Sequence, residues 1–284
     1  MPMCPGSSRP SNGWTRAKWI PSMAEAPARQ RPDRVHVVGC YRSGTTLMME
    51  LLWYAYDFSG RCEHEAPLFR AIPEGERLYL TKKPPDTIRI EQAFLADEQL
   101  YVIAMVRDPR AMATSRHAKF PDVYFSGFGR WLEYQEAIER LQGHPRWLTV
   151  RYEDLLQNPR MVQDAVEARF PFLVRQRDFA AYPEGADVPD KAGISLGGAR
   201  RIDPSRAAAW REHLPRIRDQ LDTHPAVAEK LIELGYEPDL GWQACLEGVA
   251  PHRQKHKDEA PHLFKSLEAR FRYWVKTQRY LRSL

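Results

Sequence analysis

The residues best suited to chemistry stand in one row, Arg42-Ser43-Gly44-Thr45-Thr46, between the apolar run Val35-His36-Val37-Val38-Gly39 and a helix-like stretch beginning near Thr45. Such a strand, loop and helix sequence is built to hold an anion. Gly44 lets the backbone come close to a ligand, the helix start offers unpaired N–H groups and a positive dipole end, and the two threonines add hydroxyl donors. A nucleotide-triphosphate loop of the G-x-x-x-x-G-K-[ST] type would carry lysine directly after the second glycine. Here Thr45 follows Gly44, and the cation precedes it as Arg42. That departure argues against an ATPase, GTPase or kinase.

A second candidate anion site follows the run Leu100-Tyr101-Val102-Ile103-Ala104-Met105-Val106, which has the continuous apolar character of a strand buried on both faces. It ends in Arg107-Asp108-Pro109-Arg110 and a helix-like stretch carrying Ser115. Arg107 at the C-terminal end of a strand lies where open α/β sheets bind ligands, and Pro109 fits the first turn of a helix, where its missing N–H costs nothing. Two phosphate sites at neighbouring strand ends suit a bisphosphate nucleotide.

The two motifs together resemble those of sulfotransferases that use 3′-phosphoadenosine 5′-phosphosulfate (PAPS). R-S-G-T-T is similar to that family's 5′-phosphosulfate loop, and R-D-P-R-x-x-x-x-S-x-x-x-x-F, from Arg107 through Ser115 to Phe120, is similar to its 3′-phosphate segment. The resemblance covers roughly residues 34 to 215. It implies that Arg42, Ser43, Gly44, Thr45 and Thr46 hold the 5′-phosphosulfate and that Arg107 and Ser115 hold the 3′-phosphate. The donor would be PAPS and the product adenosine 3′,5′-bisphosphate (PAP), with a hydroxyl-bearing acceptor of unassigned class. No metal is expected, because the transferred sulfonate carries less charge than a terminal phosphoryl group and the loop lacks the magnesium-binding arrangement.

The segment Gly60-Arg61-Cys62-Glu63-His64-Glu65-Ala66-Pro67 is similar to the R-C-G-E-E segment of tyrosylprotein sulfotransferases, which includes a glutamate base. Aligning on Arg-Cys gives Glu65 that role; counting from the loop arginine without a gap gives Glu63. His64 is a third candidate, since imidazole titrates near neutrality. Glu65 is the assignment carried forward. In Leu80-Thr81-Lys82-Lys83-Pro84-Pro85 a lysine stands before proline, so Lys82 or Lys83 could stabilise charge at the transferring group, and Lys83 is favoured by its place next to Pro84. Arg200 and Arg201, after Leu196-Gly197-Gly198, match the basic glycine-containing loop that closes on the nucleotide in this family, with a solvated loop as the alternative.

The elements needed to position these residues make an α/β fold: a P-loop-type, largely parallel sheet flanked by helices, in one domain with a helical C-terminal extension. Residues 1–32, rich in Pro, Ser, Arg and Gly, read as a disordered leader; 33–240 as the catalytic domain; 241–284 as a basic amphipathic extension. The 284 residues are 43% hydrophobic and 11% aromatic, enough for a large core. The net charge of +5 suits an anionic cofactor, and no nucleic-acid-binding signature accompanies it. Cys4, Cys40, Cys62 and Cys245 are scattered, without metal or disulfide spacing, and read as free thiols of a reducing, cytoplasmic setting. No apolar run is long enough to span a membrane.

In the extension, Leu263, Phe264, Leu267, Phe271, Trp274 and Val275 recur at helical spacing among Lys265, Arg270, Arg272, Lys276, Arg279 and Arg282. That face is expected to dock on its own domain, with peripheral contact to an acidic membrane surface or oligomerisation as the other roles. Two rival functions stay open: a magnesium-dependent nucleotide kinase or NTPase, and a non-catalytic nucleotide-binding protein that needs no base.

Overall fold

A run of β-branched and apolar residues buried on both sides belongs at the centre of a sheet, and β1, Asp33–Gly39, is buried along its whole length. In the computed structural model, which describes residues 31–117, 120–182, 209–254, 256–257 and 263–284, β1 is followed by α1 (Thr45–Ala55), β2 (Gly60–Arg61) and β3 (Leu78–Lys82). Next come α2 (Glu91–Ala96), β4 (Leu100–Val106), α3 (Pro109–Ala113) and a small antiparallel ribbon of β5 (Arg116–His117) and β6 (Phe120–Tyr124). Helix α4 (Phe128–Leu141) leads to β7 (Trp147–Arg151), α5 (Tyr152–Gln157) and α6 (Pro159–Arg169). Helices α7 (Leu214–Thr223), α8 (Ala226–Glu233) and α9 (Leu263–Leu281) complete the described chain.

The main sheet has the order β2-β3-β1-β4-β7, and every neighbouring pair is parallel. The chain leaves β1 towards β3 on one side and later places β4 on the other. The crevice between the C-terminal ends of β1 and β4 is therefore the switch point at which open sheets take ligands. The pleat sorts side chains two ways. Val35, Val37, Leu80 and Met105 pack under α1 and α6, whereas Val38, Val102, Ala104 and Trp147 pack against Phe94 of α2 and Ile138 of α4. This is the α/β architecture expected from the sequence.

One boundary and one docked face differ from expectation. Arg31, assigned to the leader, is tied to the domain by an ion pair with Asp97 at 2.6 Å and by a hydrogen bond from Gln99 Nε2 to its carbonyl at 2.8 Å; residues 1–30 lie outside the described residues. The second concerns α9. Its docked face is Tyr273, Thr277 and Tyr280, one step round the helix from the apolar face picked out by periodicity. Tyr273 meets Phe69 at 4.9 Å and the Arg89 guanidinium at 5.3 Å, and the Tyr280 hydroxyl bonds Asp97. Leu267, Phe271 and Trp274 stay 52%, 64% and 55% exposed. The receiving surface offers Asp97, whose carboxylate accepts from the Tyr280 hydroxyl, and the Arg89 guanidinium, which faces the Tyr273 ring; an aliphatic stripe would make neither contact.

Among the described residues, Cys40, Cys62 and Cys245 are free thiols, and no helix is long and apolar enough to cross a membrane.

Candidate functional site

The anion loop is shaped by its own backbone. Gly39 turns at φ 140°, where a Cβ would lie 2.4 Å from the Met105 carbonyl oxygen of β4, so only glycine lets the two strand ends approach. Its N–H donates to Thr87 Oγ1 at 2.8 Å, and that hydroxyl donates to the Pro84 carbonyl at 2.7 Å. Arg42 has φ 69°, the one positive φ at a non-glycine among the described residues. Gly44 follows at φ 94°, and no side chain caps α1 behind it. Left-handed residues just ahead of an uncapped helix start form a concavity of N–H groups that attracts anions.

Ser43 is turned the other way. It is 1% exposed, and both its hydroxyl and its N–H donate to the Cys40 carbonyl, at 2.7 and 3.2 Å. Of the five loop residues expected to hold phosphosulfate, Ser43 thus braces the loop from behind. Gly44 has a second constraint: a Cβ there would lie 2.3 Å from the ring of Tyr152, which packs beneath it.

The two anion motifs meet. Arg42 Nε donates to Ser115 Oγ at 2.8 Å, and Arg107 Nη1 donates to the Arg42 carbonyl at 2.8 Å. The Arg107 guanidinium lies over the Tyr152 ring at 4.4 Å, while its buried Nε has no partner within the described chain. A buried guanidinium N–H facing no acceptor is a place that a bound anion would complete. The rest of the R-D-P-R motif is structural. Asp108 caps α3 by accepting from the Arg110 N–H at 2.8 Å, and Arg110, 2% exposed, sits in the corner formed by the perpendicular rings of Trp210, at 4.2 Å, and Trp242, at 4.7 Å. Glu153 accepts from the Asp108 N–H at 3.1 Å, and burial pushes its carboxyl above the usual range.

The third group of residues comes from the strands beside the loop. Cys62 N–H and Ala66 N–H donate to the Leu80 and Lys82 carbonyls, at 3.0 and 3.1 Å, so the segment after β2 runs along β3 and delivers Glu65 to its end. There Lys83 Nζ donates to Glu65 Oε2 at 2.7 Å, Lys82 Nζ reaches Glu65 Oε1 at 3.5 Å, and Lys82 also donates to Thr46 Oγ1 at 3.0 Å. Burial works to raise the Glu65 carboxyl, but the Lys83 hydrogen bond and the two lysine charges outweigh it and hold the group below its ordinary value. Burial lowers the Lys82 ammonium, against the pull of Glu65. Glu63 is exposed; His64, half-buried, adds to the field that lowers Glu65.

Lys82, 1% exposed, rather than Lys83, is the lysine that touches the loop. The signal was present in β3: Leu78, Leu80 and Lys82 share one phase of the pleat, the phase that packs under α1, where Thr46 sits. Tyr152, which packs against both Gly44 and Arg107, belongs to neither anion motif. Beneath the site, His36 is completely buried, with Nδ1 2.7 Å from Thr81 Oγ1 and Nε2 3.2 Å from Asp86 Oδ2. Arg200 and Arg201, and the side chain of Phe120, lie outside the described residues. Among the described residues, no cluster of three or more His, Cys, Asp or Glu could hold a metal ion.

No protein-family model matches the chain, and no curated protein matches it. Among solved structures, it is similar to the sulfotransferase domain of the olefin synthase from Synechococcus PCC 7002, with 17% identity over 65% of this chain and 90% of that one, at a TM-score of 0.45. It is also similar to the sulfotransferase domain from the curacin biosynthetic pathway, with 16% identity over 64% and 92% of the two chains and a TM-score of 0.45. A third is retinol dehydratase in complex with retinol and PAP, with 15% identity over 80% and 84% and a TM-score of 0.40.

Proposed function

We propose that this chain is a sulfotransferase that moves the sulfonate of PAPS to an acceptor hydroxyl and releases PAP. One observation carries the reading: a single run of contacts, Lys83–Glu65–Lys82–Thr46, joins a partly buried carboxylate to the anion loop. A carboxylate beside two ammonium groups at the mouth of a phosphate loop supplies both a proton acceptor and positive charge where charge develops. The concavity at Arg42–Thr46, the uncapped start of α1 and the unpartnered Nε of Arg107 fit an anionic nucleotide with phosphates at both ends.

In this reading Glu65 takes the proton of the acceptor hydroxyl as its oxygen bonds to sulfur. The bond between sulfur and the bridging oxygen breaks, and its electron pair stays on the 5′-phosphate of the departing PAP. Lys82 and the α1 N–H groups stabilise that oxygen, and Lys83 keeps Glu65 ionised and aimed. A lowered carboxyl pKa makes Glu65 a weak base at rest. Proton transfer concerted with sulfonate departure does not need a stronger one. Arg107 and Ser115 hold the 3′-phosphate, and Arg42, bonded to Ser115, links the two ends of the nucleotide site. The acceptor class is a hydroxyl of a sugar, phenol, alcohol or peptidyl-tyrosine.

Incubating the full chain with sulfur-labelled PAPS and a panel of such hydroxyl acceptors tests the proposal, with PAP release as the second readout. Magnesium-independent transfer of label is the expected result. ATP hydrolysis or phosphoryl transfer that requires magnesium would replace this reading with the kinase one, and PAP binding without turnover on any acceptor would leave a nucleotide-binding protein.

A further inference from the structure

Helix α9 presents two faces to two environments. Tyr273 and Tyr280, with the buried Thr277 between them at i, i+4 and i+7, hold it to Phe69, Arg89 and Asp97. Leu267, Phe271 and Trp274 repeat the same spacing roughly a third of a turn away, so they point neither into the domain nor opposite to it. All three are more than half exposed, and Phe271 and Trp274 stack with ring centroids 5.9 Å apart. Isolated exposed apolar residues are ordinary; a contiguous stripe with two stacked aromatic rings is not.

The charge around the stripe indicates what covers it. Between Leu263 and Leu284 the sequence has six Lys and Arg residues against one carboxylate, Glu268, a balance equal to the net charge of the entire chain, +5. Arg270, Arg272, Lys276, Arg279 and Arg282 are all exposed. A second copy of the same helix would bring like charge against like. An anionic lipid surface would meet the cations while the stripe enters the interface, where tryptophan and phenylalanine partition well. We propose that α9 is a peripheral membrane-docking helix: the Leu267-Phe271-Trp274 stripe seats in an anionic bilayer surface, the flanking arginines bind lipid headgroups, and the tyrosine face holds the domain against the membrane.

Flotation of the full chain with vesicles tests this. The protein should float with phosphatidylcholine vesicles containing about 30% phosphatidylserine and remain behind with phosphatidylcholine alone, and the binding should fade as salt shortens the screening length. Phe271→Ser with Trp274→Ser should weaken partitioning about tenfold or more, and Arg272→Gln with Arg279→Gln should weaken it on anionic vesicles by a similar factor. Because all four positions are exposed, both variants should melt like the parent protein; should one not fold, the other still decides. Absence of binding to anionic vesicles, equal binding to neutral ones, or full binding by a folded variant would overturn the proposal. So would a concentration-dependent dimer in sedimentation velocity that Phe271→Ser with Trp274→Ser abolishes, since that would assign the stripe to a second copy.

Discussion

Lys82 Nζ donates to Thr46 Oγ1 at 3.0 Å, so the last residue of one strand grips the second residue of the helix that follows the neighbouring strand. The register of β1 and β3, which sets Val37 opposite Lys82, brings them together. Because Lys82 also reaches Glu65, the proposed anion loop and the proposed base share one ammonium group.

Lys82 should therefore matter more than its neighbour. Lys82→Met keeps the length of the side chain and removes the charge, and should lower turnover by roughly two to three orders of magnitude, the scale of losing one preorganised charge at a transferring group. Lys83→Met should cost less. PAP affinity measured by calorimetry should fall in Lys82→Met, whose ammonium in this reading meets the 5′-phosphate oxygen that PAP retains, and change little in Lys83→Met. Equal losses in both variants would remove the distinction.

Glu65→Gln keeps the shape and one hydrogen-bond acceptor but removes the proton acceptor. Turnover should fall by about two to four orders of magnitude with PAP affinity nearly unchanged. Glu63→Gln and His64→Asn should retain far more activity, since Glu63 is exposed and His64 contributes to the field that lowers Glu65. An inactive His64→Asn beside an active Glu65→Gln would transfer the role of base to the imidazole.

Arg107→Ala should erase most of the preference for PAP over AMP, a loss on the order of 1.5 to 3 kcal/mol for one charge-assisted contact. The structure adds a second effect, because Arg107 also holds the Arg42 carbonyl and stacks on Tyr152. The melting temperature without ligand should drop as well. Ser115→Ala, which loses only a hydroxyl, should shift discrimination in the same direction and by less. An unchanged PAP/AMP ratio in the Arg107 variant would exclude the 3′-phosphate assignment.

Gly44→Ala should be severe for two physical reasons: the left-handed backbone and the Tyr152 ring, 2.3 Å from the added Cβ. Tyr152→Ala in the same chain would relieve the clash but not the strain. The double variant should recover part of the lost thermal stability, and a double variant no more stable than Gly44→Ala would show that backbone strain alone decides.

Acid sensitivity should trace in part to His36. Burial lowers its imidazole below the ordinary 6.5, opposed by the hydrogen bond and charge of Asp86. The unfolded chain then binds a proton that the native state refuses, so stability falls as pH drops below about 6.5, with a slope of at most about 1.4 kcal/mol per pH unit for one group. His36→Gln should be less stable at pH 8 yet show a flatter profile from pH 7 to pH 5. Parallel profiles from chemical denaturation would eliminate His36 as the source.

The sequence alone marked those candidate features whose chemistry is local. The row Arg42–Thr46 and Arg107 with Asp108-Pro109 follow apolar runs, whereas Glu65 follows the polar segment 60–64 and was singled out only by its resemblance to a family motif. An anion loop is made by consecutive backbone N–H groups, and a cap by the next residue's side chain, so order along the chain is enough to reveal them. The parallel sheet was legible chiefly from β4, which is apolar without alternation, while β1 carries Asp33, Arg34 and His36 among its valines and is nonetheless buried throughout.

What depended on distance across the fold was not legible. Whether Lys82 or Lys83 meets Thr46 is decided by the pairing of β1 with β3, and the place of Tyr152 beneath Gly44 and Arg107 by the pairing of β4 with β7. Neither register is written within one strand. Helix α9 shows the same limit: its hydrophobic period marks an apolar face, but the surface that received the helix offered Asp97 and Arg89, so tyrosines docked and Leu267, Phe271 and Trp274 remained outside. Periodicity reports what one helix can bury; only the tertiary structure supplies the partner that decides which face it does bury.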